Sequence, residues 1–418
     1  MADRRDSKNR KLNKGEYQRS DGRYAYRYTD ADGIERWVYS WRLTDADRPP
    51  AGKEYTEPLR EMEIRIARAL DDGIRIYEAR KTTLNECFET YLSTKVKIKD
   101  ITRVSYRKFW DYYIRETIGR RFISDLRYSD LVKFFGGLIN GGLKQSSVER
   151  IFGLVRPTLD LAVRDNLLKS NPAVGVMDAL KTKEGASGPK RALTQAQQEA
   201  FLGFLERCPR HRKLYRLMIF LLGTGCRIGE ARGLTWNDCD FEHGMIFIEH
   251  QLQYYKAPGE KKHREHITTV KSRSSQRVIP MFTAVKDALL EERDEQEVLG
   301  IKSVTIDGLT GFIFVKSNGS VMEVSDVFVS IDNAVKEYNR IEDGRAEREC
   351  REPNRIPHFS AHNLRHTFCT RLYENEPNMK VVQEIMGHSN ITTTMNIYAD
   401  VEKATKVRSF QKLDGKIV

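Results

Sequence analysis

The spacing of apolar positions divides the chain into three stretches. In the first, Tyr24, Tyr26 and Tyr28 alternate, "DADG" at Asp30–Gly33 supplies a turn, and Trp37, Tyr39 and Trp41 alternate on the return. Period two on both sides of a turn predicts paired strands. Two strands alone are marginal in water, so a backing element is expected. Leu59, Met62, Ile66, Ala69 and Leu70 supply it, stepping by three and four as one face of a helix capped at Thr56 and ended at Gly73.

The second stretch opens at Thr82 with "TLNECFETYL" and runs to about Ala179. "VSYRKFWDYYIRETIG", "SDLVKFFGGLING" and "SSVERIFGLVRPTLDLAVRDNLL" keep helical periods between glycine-containing breaks, which predicts an all-α bundle. Pro172, Gly175, Gly185, Gly188 and Pro189 then interrupt helices, while Lys181, Lys183, Lys190 and Arg191 keep the segment solvated. The third stretch begins with helices, turns to strands at "MIFIEHQLQYY" and "HITTVKSRSSQRVIPM", and returns to helices. Its short turns favour a mixed α+β unit with mostly antiparallel strands. The expected units are therefore residues 1–75, 82–180 and 193–418, with a linker over 181–192.

Composition narrows the partners. Across 418 residues, 71 Lys and Arg oppose 59 Asp and Glu, a net charge of +12. A surplus of this size favours a polyanion, because each neutralised phosphate releases counterions. In the first stretch Lys14, Arg19, Arg23, Arg27, Arg36, Arg42 and Lys53 interleave with the aromatics. That pattern suits a narrow sheet in a DNA groove, and equally a solvated basic face beside a small aromatic core. The six cysteines form no CxxC pair, which argues against a zinc ribbon or a disulfide framework. The N-terminus has no apolar signal region and no run is long enough to span a membrane, so a cytoplasmic protein with no membrane partner is expected.

The chemistry concentrates in the third stretch. "AHNLRHTF" sets His362 and Arg365 three apart, with His366 one turn from His362. Two histidines at this spacing can bind zinc, but Asn363 stands where a metalloprotease motif needs glutamate, so no metal is expected. The competing structural reading is a group that bridges helices. "GTGCRIGEARGL" places Arg227 and Glu230 three apart after an apolar helix, and "TTVKSRSSQRVIP" places Lys271 on or beside a β turn. "IMGHSNITTTMNIYADV" places His388 after Gly387, with Tyr398 ten residues further on.

Taken in order, Arg227, Lys271, His362 with Arg365, His388 and Tyr398 resemble the active-site set of the tyrosine recombinase, or phage-type integrase, family. The resemblance spans roughly Leu193–Asp400. "DGRYAYRYTDADGIERWVYSWRLTDADRPPAGK" looks like the N-terminal arm-binding domain of integrases from conjugative transposons, and the helical stretch occupies the place of the core-binding domain. The resemblance implies a multidomain fold: a small three-stranded sheet plus helix for arm DNA, an all-α core-binding bundle and a mixed α+β catalytic domain.

It also implies an activity, site-specific strand exchange through a 3′-phosphotyrosyl link without ATP or any other cofactor. Two guanidiniums, Arg227 and Arg365, are shaped to hold a phosphorane's oxygens. Lys271 is the candidate acid for the leaving 5′ oxygen. A tyrosine of pKa about 10 needs an acceptor for its proton. His362 is the candidate for that, His388 for bonding the phosphate, and Glu230 for orienting a neighbour. Arg19, Arg23, Arg27, Tyr39, Arg42 and Lys53 are the expected arm-DNA contacts. His366 is expected to be structural, Arg232 and Arg277 to be DNA or helix-surface contacts, and Tyr254 and Tyr255 to be packing groups. The implied partners are double-stranded DNA at element ends and target sites, a homotetramer that exchanges C-terminal tails, an excision factor and a host DNA-bending protein. The rivals are a type IB topoisomerase, which the arm domain opposes, and a non-catalytic DNA-binding regulator, which the intact set opposes.

Overall fold

The computed structural model describes residues 4–181, 193–270, 273–376, 378–392 and 395. Lys181 apart, the expected linker lies outside them, as does the tail beyond Asp400. The chain divides into two compact units, Met1–Gly185 and Ala186–Val418.

The first unit begins with three antiparallel strands in the order β1 (Glu16–Gln18), β2 (Tyr24–Thr29) and β3 (Glu35–Ser40). Ala25 pairs with Tyr39 and Arg27 with Trp37, whereas Tyr26 pairs with Val38. Because side chains alternate across a strand, Tyr24, Tyr26 and Tyr28 face one way and Trp37 and Tyr39 the other. The tyrosine face closes on α1 (Leu59–Asp71) through a core of Leu12, Tyr24, Leu43 and Leu59. Trp37 and Tyr39 stay 41% and 40% exposed on the outer face. Thr56 does not cap α1. Proline disfavours helix in the residue before it, so the helix starts after Pro58. Thr56 Oγ1 instead accepts from Trp41 N at 3.1 Å. The helix stops before Gly73, whose φ of 70° belongs to the left-handed region.

Beyond it come α2 (Ile76–Ala79), α3 (Leu84–Thr94), α4 (Asp100–Tyr113), α5 (Tyr128–Asn140), α6 (Gln145–Arg164) and α7 (Val176–Ala179). Thr83 starts α3 with a reciprocal cap, accepting from Glu86 N at 3.2 Å while its own N–H donates to Glu86 Oε2 at 2.7 Å. The bundle core centres on Trp110, fully buried, stacked on Phe88 at 3.8 Å and donating to Asn85 Oδ1 at 2.8 Å.

The second unit opens with α8 (Gln195–Arg207), α9 (Arg212–Thr224) and α10 (Ile228–Gly233). Strands β4 (Cys239–Asp240), β5 (Met245–Ile248) and β8 (Arg277–Pro280) pair antiparallel in that order, and β6 (His250–Tyr255) pairs with β7 (Arg264–Thr269) as a separate antiparallel hairpin. The helices α11 (Thr283–Val298), α12 (Val324–Arg348), α13 (Ala361–Asn375) and α14 (Met379–Met386) follow. Phe201, Leu217, Leu221, Ile246, Ile279, Ile331 and Leu364 meet in one core, so α9, α13 and the three-stranded sheet are fixed against each other. No helix among the described residues is long and apolar enough to cross a membrane.

Candidate active site

The ends of α9 and α14 set the site. Helix α9 terminates at Gly225, whose φ of 62° turns the chain sharply into Arg227. Arg227 is the residue before α10, and Glu230 in the first turn satisfies it twice. Oε2 accepts the Arg227 N–H at 3.0 Å and Oε1 accepts Nη1 at 2.6 Å. This explains the three-residue spacing, since an acid at that position reaches back to the helix start. Helix α14 ends in the same manner at Gly387, φ 60°, which delivers His388.

Arg365 comes from α13, and the start of that helix explains Asn363 in the "AHNLRH" box. Ser360 N–H and Oγ both donate to Asn363 Oδ1, at 3.0 and 2.9 Å, so Asn363 serves as the capping group. The cap fixes the phase of α13 and turns Arg365 inward, where it is 2% exposed. Its Nη1 donates to Gly225 O at 2.6 Å and its Nη2 to Met386 O. Arg227 Nη2 donates to Gly387 O at 3.3 Å. The last carbonyls of two helices thus hold the two guanidiniums, as the negative end of a helix dipole favours.

A third guanidinium joins them. Arg277, from β8, donates from Nη2 to Glu230 Oε2 at 2.9 Å, and its side chain is 4% exposed. Glu230, nearly fully buried between two arginines, is held below the usual carboxylate range: burial raises it, and Arg277 and then Arg227 outweigh that. Burial first, then Arg227, pushes Arg365 down to about 9. Its guanidinium is still charged at neutral pH but lacks a full counter-charge. Burial and the same arginines push His388 down to about 3, so its imidazole is neutral at physiological pH. A neutral ring has one donor and one acceptor nitrogen.

The structure therefore brings Arg227, Glu230, Arg365 and His388 together. His362 is exposed on α13, its ring edge-on to His366 at 4.6 Å. Lys271 and Tyr398 lie outside the described residues. Arg232 and Arg277 are not surface contacts. Arg232 is buried against Glu265 and Met322 O, and Arg277 against Glu230. Tyr254 is not a packing group either; it is 58% exposed and stacked on His263. Tyr255 packs on His266 at 4.4 Å.

In the first unit, Arg19, Arg27 and Lys53 are solvent-exposed and Arg23 is partly so. Arg19 and Arg23 lie over the Tyr39 ring at 5.3 and 5.5 Å, and Lys53 over Trp41 at 5.3 Å, making a cationic and aromatic patch. Arg42 does not belong to this patch. It is 1% exposed, and its guanidinium donates to the carbonyls of Asp47, Asp45 and Thr56 at 2.7, 2.6 and 3.3 Å. It holds the loop after β3 and is unavailable to DNA.

Among the described residues one group has metal-ligand composition: Cys208, His211 and Glu337, with ligand atoms within 4.8 Å of each other. Arg210 already occupies both Glu337 oxygens, at 2.6 and 2.7 Å, and His211 bonds Oε2 at 3.0 Å. The group is a salt-bridge cluster joining the turn after α8 to α12.

Comparison with known proteins gives this geometry a family. Residues 191–405, half of the chain, match the phage integrase family, and residues 1–70 match the DNA-binding domain of Tn916 integrase. The chain is 31% identical over 415 residues to the transposase from transposon Tn1545 of Streptococcus pneumoniae, covering 98% of this chain and 96% of the relative. The transposase from transposon Tn916 of Enterococcus faecalis gives the same figures. Among solved structures, the Tn1549 transposon integrase in complex with transposon right end DNA matches with a TM-score of 0.68 and 29% identity, over 80% of this chain and all of that one. A lambda integrase dimer bound to a core site, at 18% identity and a TM-score of 0.53 over 77% of this chain and 97% of that one, shares the fold. The chain belongs to the phage integrase family and is a tyrosine recombinase of the conjugative-transposon kind, a DNA-binding enzyme that cuts and rejoins DNA at specific sites.

Proposed function

We propose that Arg227 and Arg365 grip the scissile phosphate while Tyr398 attacks it, in recombination that integrates and excises a conjugative transposon. One observation carries this reading: Arg227 and Arg277 share a single carboxylate, Glu230, while the buried Arg365 beside them is held by carbonyls alone, leaving excess positive charge in the site. Such a site stabilises a dianionic phosphorane more than a monoanionic diester, which is what catalysis requires.

The step balances on the chain's own groups. Tyr398 Oη bonds to phosphorus, the bond from phosphorus to the 5′ oxygen breaks, and Lys271 protonates the leaving oxygen. His362, exposed on α13, takes or relays the tyrosine proton, and the neutral His388 ring donates to a phosphate oxygen. The phosphotyrosyl ester keeps the energy of the broken bond, so a 5′ hydroxyl from another duplex reverses the reaction without ATP. Recombining two duplexes cuts four strands, and one tyrosine per strand requires four protomers acting in pairs through a Holliday junction. The tail beyond Asp400 would pass between neighbouring protomers. The arm unit would grip separate sites near the element's ends through Arg19, Arg23, Arg27, Tyr39 and Lys53. An excision factor and a host DNA-bending protein would bring those sites to the crossover.

The test is incubation of wild type and Tyr398→Phe with a nicked suicide duplex carrying the element's terminal sequence, read on a denaturing gel. A covalent protein–DNA band is expected from wild type alone. A band that survives the substitution would move the nucleophile to another tyrosine, and no band on DNA that wild type binds would favour a regulator.

A further inference from the structure

Arg277 belongs to none of the boxes that carry the family resemblance, yet three parts of the site close on it. Its Nη2 donates to Glu230 Oε2 at 2.9 Å and approaches Cys226 Sγ at 3.7 Å. Its Nη1 donates to Ser275 O at 3.0 Å, in the short turn Arg273–Ser275 that follows Lys271 in the sequence. At Gly387 a β-carbon would lie 3.1 Å from both Cδ and Nη1 of Arg277, so the turn that delivers His388 packs directly on this side chain. Ser275 Oγ also donates to Gly387 O, the carbonyl that receives Arg227.

We propose that Arg277 is a positioning residue for strand cleavage, holding Glu230 by one oxygen so that the other orients Arg227. The physical reason is competition for a buried carboxylate. Glu230 is 1% exposed on its side chain and has two oxygens to satisfy. With Arg277 on Oε2, Arg227 meets Oε1 through Nη1 and turns its other edge to Gly387 O. Without Arg277, the partly exposed Arg227 is left, among the described residues, as the guanidinium paired with Glu230, and a bidentate clamp on both oxygens would rotate it away from the phosphate. Arg277 also ties the segment after Lys271 to the turn before His388, so its loss would loosen groups on both sides of the reacting phosphorus.

The inference rests on the reading that Arg227 grips the scissile phosphate, and the experiment separates the two. Full-length protein would be mixed with saturating nicked suicide duplex, and the single-turnover rate of adduct formation measured beside DNA affinity and melting temperature. Adduct from wild type and none from Tyr398→Phe establishes the cleavage reading first. Arg277→Met is then expected to cleave on the order of 10 to 100-fold slower, the effect of a misplacement near 1 Å, with DNA affinity within about threefold of wild type. Arg277→Lys should recover part of the rate.

Glu230→Gln and Arg277→Met should not add, because both act through Arg227. If Arg277→Met fails to fold, Arg277→Lys and the double variant, which removes both buried charges, carry the test. The double variant should then cleave at the rate of Glu230→Gln alone. A wild-type rate in Arg277→Met, a loss confined to DNA affinity, or a double variant slower than Glu230→Gln by the full additional factor would each overturn the inference.

Discussion

Replacing Gly225 with alanine tests whether the turn after α9 aims Arg365. Two penalties are expected, and a control glycine separates them. The first is backbone strain. Gly225 has φ 62°, and a side chain in that region costs about 1–2 kcal/mol. Gly244, φ 65°, pays nearly the same cost but has nothing within 4 Å of an added β-carbon. The second penalty belongs to Gly225 alone. Its β-carbon would sit 2.3 Å from Phe368 Cδ1 and 2.9 Å from Cε1, whereas carbons in contact rest at about 3.5–4.0 Å, so the ring must retreat by more than 1 Å. Phe368 is 6% exposed and packs in a cluster with Cys369, Val382 and Met386, so its retreat disturbs that packing. Overpacking of this kind costs about 1–3 kcal/mol. For a unit of this size that is roughly 2–12 °C of melting temperature between Gly225→Ala and Gly244→Ala, read by calorimetry of the full chain. Phe368 lies three residues after Arg365 on α13, and Gly225 O is the acceptor of Arg365 Nη1. The same shift should therefore slow single-turnover cleavage about 100-fold at a temperature where the variant is folded. Coincident melting temperatures for the two variants would refute the argument.

Two further outcomes concern the first unit. Glu63 is raised to about 8, chiefly by burial and then by the neighbouring Glu16, so the folded state binds its proton more tightly than the unfolded state does. The stability this supplies is full below the unfolded value near 4.5 and is lost as pH rises through about 8. Glu63→Gln should flatten that decline, and equal pH dependence of the denaturation midpoint over pH 5–9 in both proteins would contradict it. Arg42→Ala should lower the stability of the first unit and leave the salt dependence of arm-DNA binding intact, while Arg23→Ala should weaken binding and reduce the salt slope by about one. A salt slope reduced by Arg42→Ala would return Arg42 to the DNA contacts.

The boxes around Arg227 and Arg365 are legible in the sequence because each one is short and its internal spacing has a local cause. Arg227 and Glu230 are a helix start with its cap, and Ser360 with Asn363 is another. What stayed hidden depends on contacts far apart in the chain or on backbone atoms. Arg277 reads as a surface cation because its carboxylate is 47 residues away, and Arg232 because Glu265 is 33 away. One signal was present for Arg277. It is two residues before Ile279 in an alternating strand, and Ile279 is core, so Arg277 faces inward as well. Arg42 left no such trace, since carbonyls hold it and every residue has one. The two aromatic alternations were visible, but strand pairing decided that the tyrosines turn in and Trp37 and Tyr39 turn out.

If Arg227 and Arg365 grip the scissile phosphate as proposed, their choice of partners explains how a site this buried stays ready for it. A carboxylate on each guanidinium would orient it equally well but would neutralise it, and an incoming phosphate would have to displace the carboxylate. Carbonyls orient without cancelling charge. Arg365 has two of them, from Gly225 and Met386, and Arg227 has Gly387 in addition to a carboxylate that it shares with Arg277. The cost is visible in Arg365, whose charged form burial and its neighbours disfavour to a pKa of about 9, still protonated at neutral pH. That strain is relieved by an anion, and a phosphorane with its additional negative charge relieves it more than the diester it forms from. On the proposed reading, the same imbalance that disfavours the charged form of Arg365 is the one that lowers the barrier, so offsetting it with one more nearby carboxylate should cost activity.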